Sequence, residues 1–239
     1  MIEQPMRTGF ALVLFAVLTA CGAAGSPQKS GSHAPAAEPE SETDLKALYR
    51  MALEDAAIAD PDEVHDLKRP EGEPVTVLSW VKNEFLQYYP AGESIVFTRF
   101  TWVTLPPEVQ DKCRQFHGEH QVIRMQQLLG LPPDHHEERS FVVMEVHRKD
   151  LFRPCIDPSI DAPQCAVQAE VTDGAHGIFF ANQTAAAYGT PPGYPWTRLG
   201  YTYDWNPATP EYGVSEYVIV KNVAVTIKEI IPTEKYCAP

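Results

Sequence analysis

Basic residues are scarce in this chain: 19 lysines and arginines stand against 32 aspartates and glutamates, a formal net charge of −13. No cluster or stripe of them is available to neutralise phosphates, which excludes nucleic acid as an expected partner and argues against a surface drawn to anionic lipid headgroups. Long hydrophobic runs are missing as well. The longest unbroken one covers residues 10–18, well short of the roughly 20 apolar residues that a membrane-spanning helix needs. There is no G-x-S-x-G elbow, no phosphate-cradling glycine loop, no H-E-x-x-H and no C-x-x-C pair. The common serine-hydrolase, nucleotide-binding, zincin and zinc-ribbon signatures are therefore absent.

What is present begins with an address. Arg7 precedes the short apolar run, as in an export signal. Glu3 offsets that charge, and a start at Met6 would give a more ordinary leading segment. The run closes with Leu18-Thr19-Ala20-Cys21, which resembles the lipobox of bacterial lipoproteins. The resemblance implies cleavage before Cys21 and a diacylglyceryl group on its sulfur, so Cys21 becomes the lipidated N-terminus. Several acyl chains, at about 0.8 kcal/mol per buried methylene, hold such a protein firmly. Gly22 follows the cysteine, with no aspartate there to retain the protein at an inner membrane. The expected location is thus the bacterial envelope, at the outer membrane where the host has one.

Residues 22–42 are almost entirely Gly, Ala, Ser, Pro and Glu, with no large apolar side chain. Such a stretch cannot bury enough surface to offset its ordering entropy, and reads as a flexible tether of roughly 25 Å. The expected organisation is a signal over residues 1–20, a lipidated cysteine and linker over 21–42, and one globular domain over 43–239. Charge follows this division, since residues 38–66 hold ten acids and two bases, a net of −8. A solvated acidic face is the simplest meaning of that run.

Cys113, Cys155, Cys165 and Cys237 remain after processing. An even number in an oxidising compartment predicts two disulfides, and three pairings exist. The favoured one joins Cys155 to Cys165 across a turn-rich loop and Cys113 to Cys237, stapling the C-terminal segment to a helix.

Periodicity gives the outline of an α+β domain, a mainly antiparallel sheet with several flanking helices. A helix capped by Ser41 or Thr43 carries Leu45, Leu48, Ala52 and Ala56 on one face and stops before Asp60-Pro61. Strands are expected at residues 75–81 and 95–103, with a turn at Tyr89-Pro90-Ala91-Gly92 between them. Pro106-Pro107 open a helix through Val109, Cys113 and Phe116, and a second runs through Val122, Met125 and Leu129 to Gly130. Residues 141–147 alternate as a half-buried strand should, and residues 175–188 read as a helix ending at Gly189. Leu199, Tyr201, Tyr203 and Trp205 predict a strand with one apolar, aromatic face, and residues 217–220 and 223–230 a hairpin around Lys221-Asn222.

Two constellations could carry function. His117 and His120 lie three apart, with His135, His136, Glu137 and His147 following, and imidazoles at helical spacing can share a cation. Tyr194, Trp196, Tyr201 and Trp205 are the core of an aromatic-rich stretch suited to sugar rings or peptide segments, although alternating aromatics more often build a core. Asp157 and Asp161 in the cysteine loop are a weak calcium pair, equally explained by turn chemistry. The segments around Leu151-Phe152-Arg153-Pro154-Cys155 and from Tyr194 to Trp205 are similar to stretches of uncharacterised secreted bacterial proteins, a resemblance that implies no activity. The expected function is a non-catalytic binding domain, membrane-tethered, without a cofactor, whose partner is an envelope protein or glycan. The competing class is a metal-dependent envelope enzyme using His117 and His120. Replacing Cys21 by serine removes the acylated sulfur, and cell fractionation should then find the protein in the soluble fraction; unchanged membrane retention would refute the anchor.

Overall fold

A computed structural model describes residues 41–116, 118–134, 138–167, 174–189 and 193–239. The first helix, α1 (Glu42–Ala56), begins with a reciprocal cap. The Ser41 hydroxyl accepts from the Asp44 N–H at 3.3 Å, and the Asp44 carboxylate accepts from the Ser41 N–H at 3.2 Å. Ser41, not Thr43, therefore sets the start. Leu45, Tyr49 and Ala52 bury against Trp205. At the other end the Arg198 guanidinium donates to the carbonyls of Ala56 (3.1 Å) and Ala57 (2.7 Å), placing positive charge where the helix leaves acceptors unpaired.

Eight strands follow: β1 (Val75–Lys82), β2 (Ser94–Phe97), β3 (Thr101–Thr104), β4 (Arg139–Val146), β5 (Leu151–Phe152), β6 (Tyr201–Tyr203), β7 (Tyr212–Ile219) and β8 (Val223–Pro232). All pairings are antiparallel, in the order β2-β8-β4-β1-β3-β7-β5, with β6 beside β7. The sheet curls. Strands β7 and β8 are joined by three residues yet sit on opposite arms of that order, and so do β2 and β3. The β7–β8 loop bridges the two edges, with the Val220 N–H donating to Asp150 O (2.9 Å) and the Asn222 N–H to Phe97 O (2.5 Å). As a result Phe97, Val225, Met144, Val77, Tyr217 and Leu151, from both arms and the middle, share one cluster inside the curl.

The outer face is covered by helices: α2 (Pro106–Cys113), α3 (Gln121–Leu128), α4 (Ala175–Tyr188) and the short α5 (Thr233–Tyr236). Leu78, Phe141 and Val143 of the sheet meet Val109, Met125, Leu128 and Tyr236 there. Helix α3 ends in a Schellman turn, the Leu131 N–H reaching Gln126 O at 2.8 Å and the Gly130 N–H reaching Gln127 O at 3.1 Å. Gly130 has φ 65°, and a Cβ there would lie 3.3 Å from Tyr203 O, so both conformation and space call for glycine. Disulfides join Cys113 to Cys237 and Cys155 to Cys165, the favoured pairing. Among the described residues no helix is long and apolar enough to cross a membrane.

The α+β class with an antiparallel sheet holds, and four local expectations change. Residues 95–103 are two strands, because residues 98–100 carry the chain from one edge of the curl to the opposite arm. The expected hairpin around Lys221-Asn222 has its short turn, with Asn222 at φ 66°, but its arms pair with other strands. Strand β4 is buried on both faces, since helices cover Phe141 and Val143 as the curl covers Val142 and Met144. The strand expected from Leu199 to Trp205 is only β6, preceded by Arg198 at φ 61° and Gly200 at φ 79°, and its polar side is buried too. There Asp204 takes a two-pronged ion pair from Arg124, at 3.0 and 2.6 Å. Asp204 is almost fully buried, so Arg124→Ala strands its charge; chemical denaturation should show a loss of about 3–5 kcal/mol, whereas a change near zero would mean the pair is solvated.

Candidate functional site

Alternation along β7 sends Tyr217 and Ile219 into the curl and turns Val214 and Glu216 to the outer face. Glu216 stands opposite Thr104 of β3, and Trp102 lies diagonally across from it, opposite Val218. On this face helices α3 and α4 leave a gap. The gap is a cavity of about 460 Å³, floored by β1, β3 and β7 and walled by Leu129 and Leu131 after α3 and by Gln183 and Ala187 of α4. Tyr203 and the segment Tyr194-Pro195-Trp196 complete it. Its size falls within the usual range of small-molecule sites, roughly 300–1,000 Å³.

The lining is apolar and aromatic, and Glu216 is its one Asp, Glu, Lys, Arg or His among the described residues. Glu216 is 8% exposed. Among the described residues its carboxyl has no hydrogen bond or ion pair, and burial pushes its pKa up to about 8, with Arg153 opposing the shift. Arg153 works from the other side of the sheet, stacked over the Tyr217 ring at 4.7 Å. The Trp196 indole N–H, closed off from the cavity space, has no acceptor among the described residues. Neighbouring groups are engaged elsewhere. The Trp80 indole donates to Thr233 Oγ1 at 2.8 Å, and the Thr202 hydroxyl donates to Leu128 O at 2.6 Å while accepting from the Val214 N–H.

Comparison with protein-family models, curated proteins and solved structures gave no match. The site therefore rests on its own geometry.

The four aromatic residues picked out in the sequence do not form one platform. Tyr194 is 55% exposed at the mouth of the cavity, and Trp196 lies within its wall at 5% exposed. Tyr201 and Trp205 are core. The Tyr201 hydroxyl donates to Glu63 O at 2.8 Å, and the Trp205 indole to Leu131 O at 2.9 Å, with Tyr49 packed edge-on against it at 5.7 Å. They are buried because α1 and the segment after it cover β6, the face that a ligand would have used.

His117, like His135, His136 and Glu137, lies outside the described residues. His120 closes an exposed 3-10 turn ahead of α3, and His147 faces Glu73 at 2.5 Å. Among the described residues no three His, Cys, Asp or Glu side chains are grouped to hold a metal. Asp157 accepts from the Ser159 N–H in a turn, and Asp161 pairs with Arg148, so the two carboxylates have separate structural partners. Cys21 precedes the described residues.

Glu216 was not among the residues singled out from sequence. The available signal was an acid inside the continuous run Val214-Ser215-Glu216-Tyr217-Val218, where a strand buried on both faces has no solvated side for a carboxylate. Its proton links to stability. The folded chain holds it up to about pH 8, whereas a carboxyl at the ordinary value of 4.5 in the unfolded chain has already lost it, so Glu216 lowers stability as pH rises through that window. Glu216→Gln has no proton to lose. Melting temperatures should show the variant gaining on the parent from pH 4.5 to about 8; parallel curves would contradict a buried, protonated Glu216.

Proposed function

We propose that this protein is a bacterial envelope lipoprotein, tethered through Cys21, whose folded domain binds a small ligand and performs no chemistry on it. One observation carries the binding half: a largely apolar cavity of ligand size has a single charge-bearing group in its described lining, the buried Glu216 carboxyl, which among the described residues has no hydrogen-bond or ion-pair partner. An unsatisfied buried carboxyl costs stability, and a cavity that keeps one is suited to a molecule that pairs it. The tether half is supported by Leu18-Thr19-Ala20-Cys21 and by the linker that follows it.

Binding is favoured over catalysis by what surrounds Glu216. Acid–base sites set two titratable groups against each other or place a nucleophile beside a base. Among the described lining residues Glu216 has only Tyr194 and Tyr203 as titratable company, and burial drives the Tyr203 hydroxyl upward. Discrimination of one ligand from another fits such a wall better than turnover.

Full-length protein extracted from its own envelope in mild detergent should carry a small molecule of defined mass in native mass spectrometry. Ala186 is exposed at the cavity rim, so Ala186→Trp closes the mouth without disturbing the core and should abolish that adduct. Protein free of any adduct, or an adduct indifferent to Ala186→Trp, would overturn the assignment.

A further inference from the structure

We infer that the ligand of this cavity is an organic cation: an alkylated ammonium group paired with the Glu216 carboxylate beside Trp102 and Trp196. This rests on the reading of the cavity as a ligand site and names the chemistry that it selects. The lining excludes an anion, since its single charge-bearing side chain is an acid and no Lys, Arg or His among the described residues reaches the cavity to answer a negative group.

The geometry suits a cation. Glu216 and Trp102 are diagonal neighbours on adjacent antiparallel strands, a relation that sets them roughly 7–8 Å apart on one face, and both line the cavity. The rings of Trp102 and Trp196 meet with centroids 6.1 Å apart at 83°, two walls of a corner. Indole faces attract ammonium groups, most strongly where water is excluded. Most of the rest of the lining is aliphatic or aromatic, with Ser79, Thr104, Gln183 and Thr202 as neutral polar groups, which suits methyl groups on nitrogen better than a fully hydrated primary amine.

Arg153 acts on Glu216 through the sheet, and Tyr188 of α4 interacts with it through a hydroxyl whose ionisation is driven upward, while the Tyr203 hydroxyl of β6 turns away to Asp55. The lining residues of β1, β3 and the end of α3 bring no charged group. Glu216 is thus the group whose ionisation the ligand meets. In the empty site the carboxyl keeps its proton up to about pH 8, so binding a cation at neutral pH expels that proton, and affinity climbs as pH rises towards that value.

The test uses full-length protein and two probes of one shape. Acetylcholine carries the ammonium and an ester oxygen; 3,3-dimethylbutyl acetate replaces the nitrogen with carbon and is uncharged. Trp102 and Trp196 report binding through their fluorescence. The expected result is binding of the cation in preference to its isostere, strengthening up to about pH 8. Glu216→Gln should weaken the cation at least about tenfold and abolish its pH dependence while leaving the isostere unchanged. Equal binding of both probes, or a cation indifferent to Glu216→Gln, overturns the cationic class and leaves the cavity a site for neutral ligands. Failure of both probes while the envelope-extracted protein still carries an adduct blocked by Ala186→Trp has the same meaning. Failure of both probes with no adduct overturns the ligand site itself.

Discussion

The constraint from which the rest follows is that the central strands β1, β4 and β7 are buried on both faces, while β2 and β8 leave their outer side to water. Central strands of that kind cannot leave either side to water, and here each side has its own solution. The inner face closes on itself, as the curl brings β2, β8 and β7 around one cluster, with the Val220–Asn222 link hydrogen-bonded to both edges. The outer face has no such recourse and is roofed by helices. Roofing a curved surface with straight rods leaves gaps, and the cavity over Glu216 is one of them.

The position of that cavity depends on polar contacts that hold the roof. Arg124 pins α3 to Asp204. The Tyr188 hydroxyl, from α4, lies between the carbonyls of Ala56 and Trp196 with one proton to share, while the Tyr49 hydroxyl donates to Gly193 O at 2.9 Å. Helix α2 is held to β7 by Glu108, which accepts from the Ser215 N–H at 3.0 Å. These are long-range contacts between buried groups, and they orient the walls more than they stabilise the fold. Gly200 belongs with them: a Cβ there would meet Cys165 Sγ at 2.8 Å and Leu67 at 2.9 Å, so the chain turns at φ 79° in space that only glycine fits.

Much of the architecture was legible because it was local. The cap at Ser41, the α3 stop at Gly130, the α4 span and the disulfide loop between Cys155 and Cys165 all depend on residues close in sequence. The tertiary decisions were not legible. Nothing in residues 95–103 announces that three of them cross to another arm of the sheet, and Lys221-Asn222 looks the same whether its flanking strands pair with each other or not. The site suffered in the same way. Tyr194, Trp196, Tyr201 and Trp205 share a stretch of chain and a chemical character, yet burial divides them among a rim, a cavity wall and two cores. Glu216 is informative only once both faces of β7 are known to be covered, and that depends on helices more than a hundred residues earlier in the chain, such as α2.

The bond between Cys113 and Cys237 spans 124 positions, so β4 to β8 and three helices lie inside one covalent ring. A protease that nicks a loop within that ring frees nothing: the two pieces stay linked through sulfur, and their reassociation remains an intramolecular event at high effective concentration. For a domain whose walls are set by contacts between distant segments, such a ring lets a damaged molecule keep its parts together until they find one another again.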